Sequence, residues 1–524
     1  MLLAAVIALA APPPAAHTPP PPTLHLERIA RLEPRRGCEI VAYDPTTSTL
    51  HTSGGPTTTI SRWNLADPRE PEPLPDLEWP DGLGLPRFAE ATSVAAARGF
   101  VAATIVHPDR RERGWLALAD GTADPPRYAA VRVGHHPDMV AFTPDGTTLI
   151  VANEGEPHPD YSVDPPGSVT ILRFASAGRD LQGLDVTTLD FAGWNDHRFH
   201  ASLHRAAVET TTLARDLEPE FVAVSPDGRR AWITLQENNA IATVDLTARA
   251  VTDIRALGFK NHALPGQGLD ASDRDGRVNI RNWPVRGLYQ PDGIAAFGTE
   301  QGIFLITANE GDTREYPGYD EVVRVEDLRL AERPFRNARR LQTIEDLGRL
   351  EVTRARGDDD QDGEWEYLVS YGGRSLSIWT PALRQVWDSG EDLERLTAAV
   401  PGAFNAANDE QDSFDDRSDK KGPEPEGVVV GRVHDRLYAF AGLERPGGIV
   451  IYDVTDPFRP VFVDWVNPRK FGVSSTRAAD DLGPEGLVFI AAADSPVASP
   501  LLLVANEVSG TVAVYQILTR SEAP

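Results

Sequence analysis

The chain has 524 residues, of which 41% are hydrophobic and 25% are charged, and its formal net charge is −27. This composition is typical of a globular protein with a sizeable core. The negative charge argues against nucleic acid or an anionic membrane surface as a partner, and it permits cation binding. The single cysteine, Cys38, excludes an internal disulfide.

Residues 1–22 are predicted to form a signal peptide and a proline-rich leader. The apolar run Leu2–Ala10, with the small residues and prolines after it, is typical of a secretory signal, although no basic segment precedes it. No later segment approaches the roughly 20 apolar residues of a membrane span. We therefore expect a secreted, periplasmic or extracellular protein in which residues 23–524 form one domain.

A repeated pattern organises the rest of the chain. Its clearest copy, Gln290–Asp312, reads as an acidic turn, an apolar strand, a tight loop, a second apolar strand and an Asn-Glu-Gly turn. Recurrence of this kind means that each copy is one supersecondary unit packed against its neighbours. An all-strand repeat with turns rich in proline and glycine predicts an all-β fold, a β-propeller. The other copies are His136–Gly155, Glu218–Asn238, Glu424–Glu444 and Gly483–Glu507.

Strand-like segments divide residues 23–524 into eight units, which predicts a single propeller of eight four-stranded blades. Units five and six are expected at residues 293–346 and 349–390. The eighth unit has only three segments, and the isolated run Leu24–Leu32 is predicted to supply its fourth strand and close the ring. Seven blades are the alternative, if unit one or unit two is not a true blade.

Strand direction predicts a functional face. In a four-stranded meander, the start of the first strand and the end of the second lie at the same edge, which we call the top face. Long insertions also fall there, and functional loops tend to cluster on one side of a rigid fold. The insertions are residues 155–167, 192–217, 258–289, 311–320, 391–422 and 467–482.

Carboxylates are expected to ring the mouth of the central channel on the top face. Like charges at such spacing raise each other's pKa unless a cation or an arginine compensates them, and hard oxygen ligands suit Ca²⁺ or Mg²⁺. The alternative is that each acid caps its own turn or pairs with an arginine. The candidate metal ligands are Asp138, Glu220, Asp292, Glu426 and Glu485 before first strands, together with Glu39, and Glu310 and Asp312 after a second strand.

A second candidate calcium site lies in the acidic run Asp358–Glu366. Alternating oxygen donors followed by a glycine turn can wrap Ca²⁺, and the expected ligands are Asp358, Asp360, Asp362 and Glu364. An EF-hand is excluded because Val369 stands where its last glutamate ligand belongs. The run is predicted to join the first and second strands of unit six on the face opposite the mouth, with a solvated acidic hairpin as the alternative.

The familiar catalytic motifs are missing from the sequence. It contains no H-E-x-x-H, no G-x-S-x-G, no Walker loop and no dinucleotide fingerprint. His197, His200 and His204 have the spacing of one helix face, but no further ligand stands at a spacing diagnostic of zinc. The spacing favours a helix packed on the rim.

Several long runs resemble the choice-of-anchor I family. They include LDASDRDGRVNIRNWPVRGLYQPDGIA, FLITANEGDTREY, FDDRSDKKGPEPEGV, YAFAGLERPGGIVIYDV and LLVANEVSGTVAVYQI. The resemblance implies a propeller of the YVTN-repeat-like class, on the cell surface or outside the cell, in a family that includes relatives of mesenchyme-specific cell surface glycoproteins. The chain ends shortly after its last strand without an anchor, so we expect release rather than surface attachment of its own.

Two functional hypotheses follow from these patterns. The first is an exported Ca²⁺-binding propeller that binds an unidentified ligand or protein partner at the acidic mouth. The alternative is a metal-dependent phosphoester hydrolase, because members of the family are often labelled alkaline phosphatases. In that case the mouth carboxylates would hold the metal, and Arg281, Arg417 or Lys421 would hold the phosphate.

Overall fold

The computed structural model describes residues 24–174, 181, 183–195, 202–206, 208 and 211–519. The predicted leader, residues 1–22, lies outside the described residues. The described part is all-β apart from short helical turns, and none of its helices has the length and apolar character needed to cross a membrane. The α-helices are Leu213–Asp216, Ala338–Leu341 and Asp392–Ala398, and the 3₁₀ turns are Asp81–Leu83, Ala192–Trp194, Val325–Asp327 and Thr476–Ala478.

Seven four-stranded antiparallel sheets form most of the described chain. Sheet 1 consists of Ile40–Asp44, Thr49–Ser53, Ile60–Asn64 and Glu72–Leu77, and sheet 2 of Glu90–Ala97, Phe100–Val106, Arg113–Asp120 and Arg127–His135. Sheet 3 consists of Pro137–Phe142, Thr148–Asn153, Ser168–Arg173 and Asp185–Asp190, and sheet 4 of Pro219–Val224, Arg230–Leu235, Ala240–Asp245 and Ala250–Ala256. Sheet 5 consists of Ile294–Thr299, Gly302–Asn309, Ser375–Trp379 and Gln385–Asp388, and sheet 6 of Pro425–Val433, Arg436–Leu443, Ile449–Asp453 and Val461–Val466.

Sheet 7 combines strands from the two ends of the described chain. Pro484–Ile490, Leu501–Asn506 and Thr511–Thr519 are followed in the sheet by Leu24–Leu32, which pairs antiparallel with Thr511–Thr519. Arg28 strengthens the junction, because its Nη1 lies 2.6 Å from Asp480 Oδ1 and 2.7 Å from Asp481 Oδ2. The outer edge of the last meander is therefore covered by a strand from the start of the described chain.

The first strands of the seven sheets contact one another in cyclic order, with sheet 7 returning to sheet 1. They surround an apolar channel of about 420 Å³ to which all seven contribute, for example through Val94, Val140 and Val428. Second strands are buried on both faces between neighbouring sheets, as Thr148–Asn153 illustrates. This burial explains their continuous apolar sequence, since both faces of the strand meet hydrophobic neighbours.

The expected division into eight four-stranded blades is not confirmed, because the strand content predicted for units five and six is wrong. The first two strands of unit five pair with the last two of unit six, and together they form sheet 5. Units one and two are true four-stranded sheets, so the reason given for a seven-bladed alternative does not hold either. Gly302–Asn309 pairs with Ser375–Trp379 although residues 310–374 separate the two strands in the chain, and we call this intervening segment the excursion. Local strand patterns cannot reveal a pairing over such a distance.

The excursion builds a sheet of its own together with the insertion after sheet 4. This side sheet has the order Phe259–Asn261, Val285–Leu288, Leu368–Ser370, Glu351–Thr353 and Val322–Arg324. A hairpin of Glu315–Tyr316 with Tyr319–Asp320 directly precedes the strand Val322–Arg324. A separate apolar cluster that includes Trp283, Leu347 and Leu368 supports the side sheet. The insertion at residues 258–289 is therefore partly strand and not only loop.

Candidate functional site

The acids before the first strands occupy a structurally equivalent position in several sheets. In sheets 3, 4, 6 and 7 the first residue of the first strand pairs with the end of the second strand, and the register then shifts. A β-bulge of this kind bends the strand and changes the direction of the side chain it carries. The acid follows the first paired residue within each bulge, and these acids are Asp138, Glu220, Glu426 and Glu485.

Backbone conformation just before the strand is shared as well. His136, Gln290 and Glu424 each precede a proline and have positive φ values of 42°, 44° and 48°. Non-glycine residues rarely adopt this left-handed conformation, which persists where surrounding contacts hold it. The side chain of Gln290 provides such contacts, since its Nε2 donates to Asp312 O at 2.7 Å and its Oε1 accepts from Gly372 N at 3.2 Å.

The structure brings most of the predicted mouth acids together around one cavity, although Asp312 does not line it. A cavity of about 150 Å³ at the top end of the channel is lined by carboxylates from six of the seven sheets. Sheet 2 has Thr92 at its bulge, and Thr92 Oγ1 donates to Pro137 O at 2.8 Å. The lining acids are Glu39, Asp138, Glu220, Asp292, Glu310, Glu426 and Glu485.

Crowding and burial favour the protonated forms of six of these acids. Burial, followed by the charges of neighbouring acids, raises the pKa of Glu39 to about 7 and that of Asp138 to about 7. Burial and neighbouring carboxylates also raise the pKa of four further acids well above its ordinary range. These four are Glu220, Asp292, Glu426 and Glu485.

Three mouth glutamates keep an oxygen without a hydrogen-bond partner. The Oε2 atoms of Glu220, Glu426 and Glu485 are buried and unpartnered in the described part of the chain. Asp292, Glu310 and Glu426 each offer an oxygen, and these three atoms lie within 4.8 Å of one another. Such spacing suits three oxygen ligands on a single Ca²⁺, whose metal–oxygen distances are about 2.3–2.6 Å. The alternative, in which every mouth acid caps its own turn or pairs with an arginine, therefore does not account for the three unpartnered oxygens.

Glu310 connects this triplet to the nearest cation. Its Oε2 accepts from Gln236 Nε2 at 2.7 Å, and its Oε1 accepts from Lys421 Nζ at 2.9 Å. Lys421 Nζ also lies 3.1 Å from Glu424 Oε2 and 3.9 Å from Asp312 Oδ1. Burial first, and then the charge of Glu310, raises the pKa of Asp312 to about 6, although Lys421 opposes this shift.

Glu424, which also pairs with Lys421, is compensated by three basic side chains. Glu424 Oε1 accepts from Arg417 Nη2 at 2.6 Å, and its Oε2 accepts from Arg445 Nε at 2.9 Å. Lys421, Arg417 and Arg445 outweigh burial and lower the pKa of Glu424 to about 2. Lys421 donates to Gly311 O at 2.6 Å as well. Two of the predicted phosphate-binding residues thus lie beside the mouth but are engaged with carboxylates.

The third predicted phosphate-binding residue, Arg281, is not part of this cluster. Its guanidinium lies 4.2 Å from the ring centre of Trp283, and its Nη1 is 3.2 Å from Asp346 Oδ1. Both partners belong to the insertions around the side sheet. Arg281 therefore contacts a different part of the molecule from Arg417 and Lys421, and phosphate binding by any of the three stays a prediction.

The acidic run Asp358–Glu366 does not lie between first and second strands, as predicted, but between two strands of the side sheet. Asp358 and Asp360 approach the carboxylate of Glu366, with one oxygen of each within 4.8 Å of the others. Asp362 Oδ1 instead accepts from Glu364 N at 2.8 Å, and Glu364 Oε1 lies 2.5 Å from Arg329 Nη2. Calcium binding by this loop stays a prediction.

Sequence reasoning missed a second group of buried acids at the top face. Glu154, Glu218 and Glu237 place one oxygen each within 4.8 Å of one another. Glu218 directly precedes the first strand of sheet 4, and Glu237 follows its second strand, so the repeated turn pattern is the feature that could have identified them. Of the three spaced histidines, His197 and His200 lie outside the described residues, and buried His204 Nε2 lies 2.9 Å from Glu321 Oε2.

Comparison with known families and proteins gives a match over most of the chain. The model of the choice-of-anchor I domain matches residues 39–457. Gigasin-3a of Magallana gigas is 31% identical over 184 residues, which cover 33% of this chain and 64% of that protein. The mesenchyme-specific cell surface glycoprotein of Strongylocentrotus purpuratus is 29% identical over 280 residues, which cover 46% of this chain and 35% of that protein. The chain spans less than two thirds of the length of either relative.

Solved structures show only distant likeness. Streptogramin B lyase has 8% identity and a TM-score of 0.44, with coverage of 95% of this chain and 98% of that one. The Cps50 β-propeller domain of Myceliophteria thermophila has 9% identity and a TM-score of 0.44, with coverage of 94% and 99%. Values this low do not bear on function.

Proposed function

The chain belongs to the choice-of-anchor I family, which confirms the resemblance seen in its sequence, and from this premise we propose that it is an exported calcium-binding protein. In this proposal the seven sheets form a closed seven-bladed propeller, and the cyclic contacts of the first strands support it. The channel mouth holds Ca²⁺ through Asp292, Glu310 and Glu426, and the bound ion presents open coordination positions to a ligand or partner.

One observation carries the proposal. Six sheets direct a carboxylate into the same small cavity, and three of these side chains have a buried oxygen with no partner in the described chain. A buried polar atom without a partner lowers stability by about 1–3 kcal/mol, and more for a charged group. A divalent cation held by the triplet would give Glu426 a partner and reduce the repulsion among all the carboxylates that line the cavity.

Donor chemistry favours calcium over softer metals. The triplet offers only carboxylate oxygens, which suit hard cations such as Ca²⁺, while thiolate and imidazole ligands suit zinc and copper. Ca²⁺ accepts six to eight oxygens in flexible geometry. Three carboxylates with water or ligand oxygens would complete such a shell.

An extracellular or cell-surface location is supported by the name of one relative, a mesenchyme-specific cell surface glycoprotein. Exposed calcium sites on extracellular proteins work at dissociation constants of about 10⁻⁴–10⁻³ M. The acid-rich mouth therefore fits a compartment where calcium is abundant.

Phosphoester hydrolysis receives less support from the site. Lys421 already contacts Glu310, Gly311 O and Glu424, and Arg417 binds Glu424 through two nitrogens. Neither side chain is free to clamp a phosphate without breaking these pairs. Hydrolysis remains the second candidate and is tested by assaying phosphate release from a substrate panel with added Ca²⁺, Mg²⁺ or Mn²⁺.

Equilibrium dialysis with radioactive calcium tests the main proposal. We expect at least one ion per chain in the wild type at millimolar calcium, and one fewer in the double variant Asp292→Asn Glu426→Gln. The matched control is Asp358→Asn Asp360→Asn, which removes acids from the side-sheet loop and leaves the mouth intact. Equal calcium binding by the wild type and the mouth variant would refute the proposal, and a loss restricted to the loop variant would move the site to Asp358–Glu366.

A further inference from the structure

We propose that Glu154, Glu218 and Glu237 form a second divalent-cation site at the top face, between sheets 3 and 4. The inference stands on its own residues and does not require the mouth triplet to bind an ion. Each of the three offers one carboxylate oxygen, and the three atoms lie within 4.8 Å of one another. An ion at their centre would lie at ordinary calcium–oxygen distances from all three.

Burial distinguishes this group from a solvated acidic patch. Glu218 is 2% exposed and Glu237 is 6% exposed, and the Oε2 atom of each is buried without a hydrogen-bond partner. Buried polar atoms are normally paired, so two unpaired carboxylate oxygens in one group of acids require an explanation. A cation held between them provides it.

Basic side chains around the group leave part of its charge unmatched. Arg314 Nη2 lies 3.2 Å from Glu218 Oε1, but it also lies 3.6 Å from Asp216 Oδ1. His136 Nδ1 lies 3.0 Å from Glu154 Oε2. Among the described residues, no lysine, arginine or histidine comes within 4.0 Å of the Glu237 carboxylate. Glu237 is thus the acid that the existing ion pairs do not compensate.

Local hydrogen bonds fix the backbone that carries Glu218. Asn238 Oδ1 accepts from Glu218 N at 3.3 Å, and Asn238 Nδ2 donates to Asp216 O at 2.8 Å. These bonds connect the turn before the first strand of sheet 4 to the turn after its second strand. Glu218 and Glu237 are therefore held in place before any ion binds, which reduces the loss of conformational entropy on binding.

The two turns of sheet 4 serve both sites. Glu218 and Glu237 belong to the new site, whereas their neighbours Glu220 and Gln236 line the mouth cavity. Gln236 Nε2 donates to Glu310 Oε2 of the mouth triplet at 2.7 Å. With both sites occupied, the top face would hold two cations beside each other.

Terbium(III), which replaces calcium and luminesces when nearby aromatic rings are excited, is a suitable probe. Tyr316 Oη lies 3.4 Å from Glu156 Oε1, and its ring centre is 5.7 Å from that of Tyr161. Burial first, and then the charges of Glu218 and Glu156, raises the pKa of Tyr316, so this ring lies close to the acids. An ion in the new site should give tyrosine-sensitised luminescence.

The decisive variant is Glu237→Gln, because it removes no ion pair and should fold as the wild type does. We expect it to bind one ion fewer per chain and to lose most of the tyrosine-sensitised luminescence. The reciprocal control, Asp292→Asn Glu426→Gln, should keep that luminescence, so that failure of the mouth proposal and failure of this one are distinguishable.

A crystallographic measurement covers the case in which a variant misfolds. Wild-type crystals soaked with terbium should show an anomalous peak between the three carboxylates. Absence of that peak at saturating terbium, or luminescence and ion number in Glu237→Gln equal to those of the wild type, would overturn the inference.

Discussion

Replacing Glu39 by glutamine is expected to stabilise the metal-free protein at pH 8 and to change its stability little at pH 5. Burial and the charges of Asp138, Glu507 and Glu90 raise the pKa of Glu39 from its ordinary value of 4.5 to about 7. A carboxyl whose pKa is higher in the folded state contributes stability that is complete below the unfolded pKa. That stability is lost as the pH rises through the folded pKa.

The magnitude follows from the two pKa values. A pKa raised from 4.5 to about 7 corresponds to about 3 kcal/mol in the free energy of unfolding, and nearly all of this stability is lost by pH 8. At pH 5 the unfolded carboxyl, with its pKa of 4.5, is mostly ionised while the folded one is still protonated, and the loss has reached only about 0.8 kcal/mol. Glutamine has the shape of the protonated acid and cannot ionise. The gain in free energy of unfolding should therefore be about 3 kcal/mol at pH 8 and below about 1 kcal/mol at pH 5.

Urea unfolding followed by tryptophan fluorescence, in EDTA at pH 5, 6, 7 and 8, measures this gain. The control is Glu300→Gln, because Glu300 is exposed in the hairpin between the first two strands of sheet 5. It should have no effect at any of these pH values. A Glu39→Gln variant that is no more stable than the wild type at pH 8, or equally stabilised at pH 5, would refute the reasoning about the mouth.

Three further changes test other parts of the structure. Glu424→Gln replaces the carboxylate that pairs with three basic side chains by a neutral amide, so we expect the free energy of unfolding in urea to fall by about 3–5 kcal/mol. Deleting residues 1–32 uncovers the edge of sheet 7, which should lower the melting temperature and produce aggregates in size-exclusion chromatography. Lys260→Met removes the buried ammonium that donates to Gly373 O and Gly390 O at 2.7 Å, and the unpaired carbonyls should lower unfolding free energy by about 1–3 kcal/mol in the same assay.

The repeat made the mouth acids predictable from sequence. Asp138, Glu220, Glu426 and Glu485 stand at the same place in copies of one pattern, and equivalent positions in a meander meet at one edge. Each of these acids follows a proline that begins its first strand, so the position of the β-bulge is marked in the sequence and recurs with the repeat. Their convergence was therefore accessible without coordinates.

Long-range pairing limited the rest of the prediction. Val322–Arg324 and Glu351–Thr353 look like blade strands because each has two neighbouring β-branched residues, which suit any sheet. Only their pairing shows that they belong to the side sheet, because they are joined through Leu368–Ser370 to Val285–Leu288, a strand in another insertion. The same limitation misplaced the loop Asp358–Glu366, because the two strands that flank it belong to the side sheet and not to a blade.

The acids at the mouth are hard to explain by folding alone. At neutral pH the displaced pKa of Asp138 means that its ionised form opposes the folded state. Thr92 occupies the corresponding bulge of sheet 2 and satisfies its hydroxyl with a neighbouring carbonyl, so the bulge itself does not require a charge. A neutral side chain would fold at least as well at the other positions. Carboxylates that line one cavity from six sheets therefore support our proposal of a bound divalent cation, whose oxygen ligands would have the spacing of Asp292, Glu310 and Glu426.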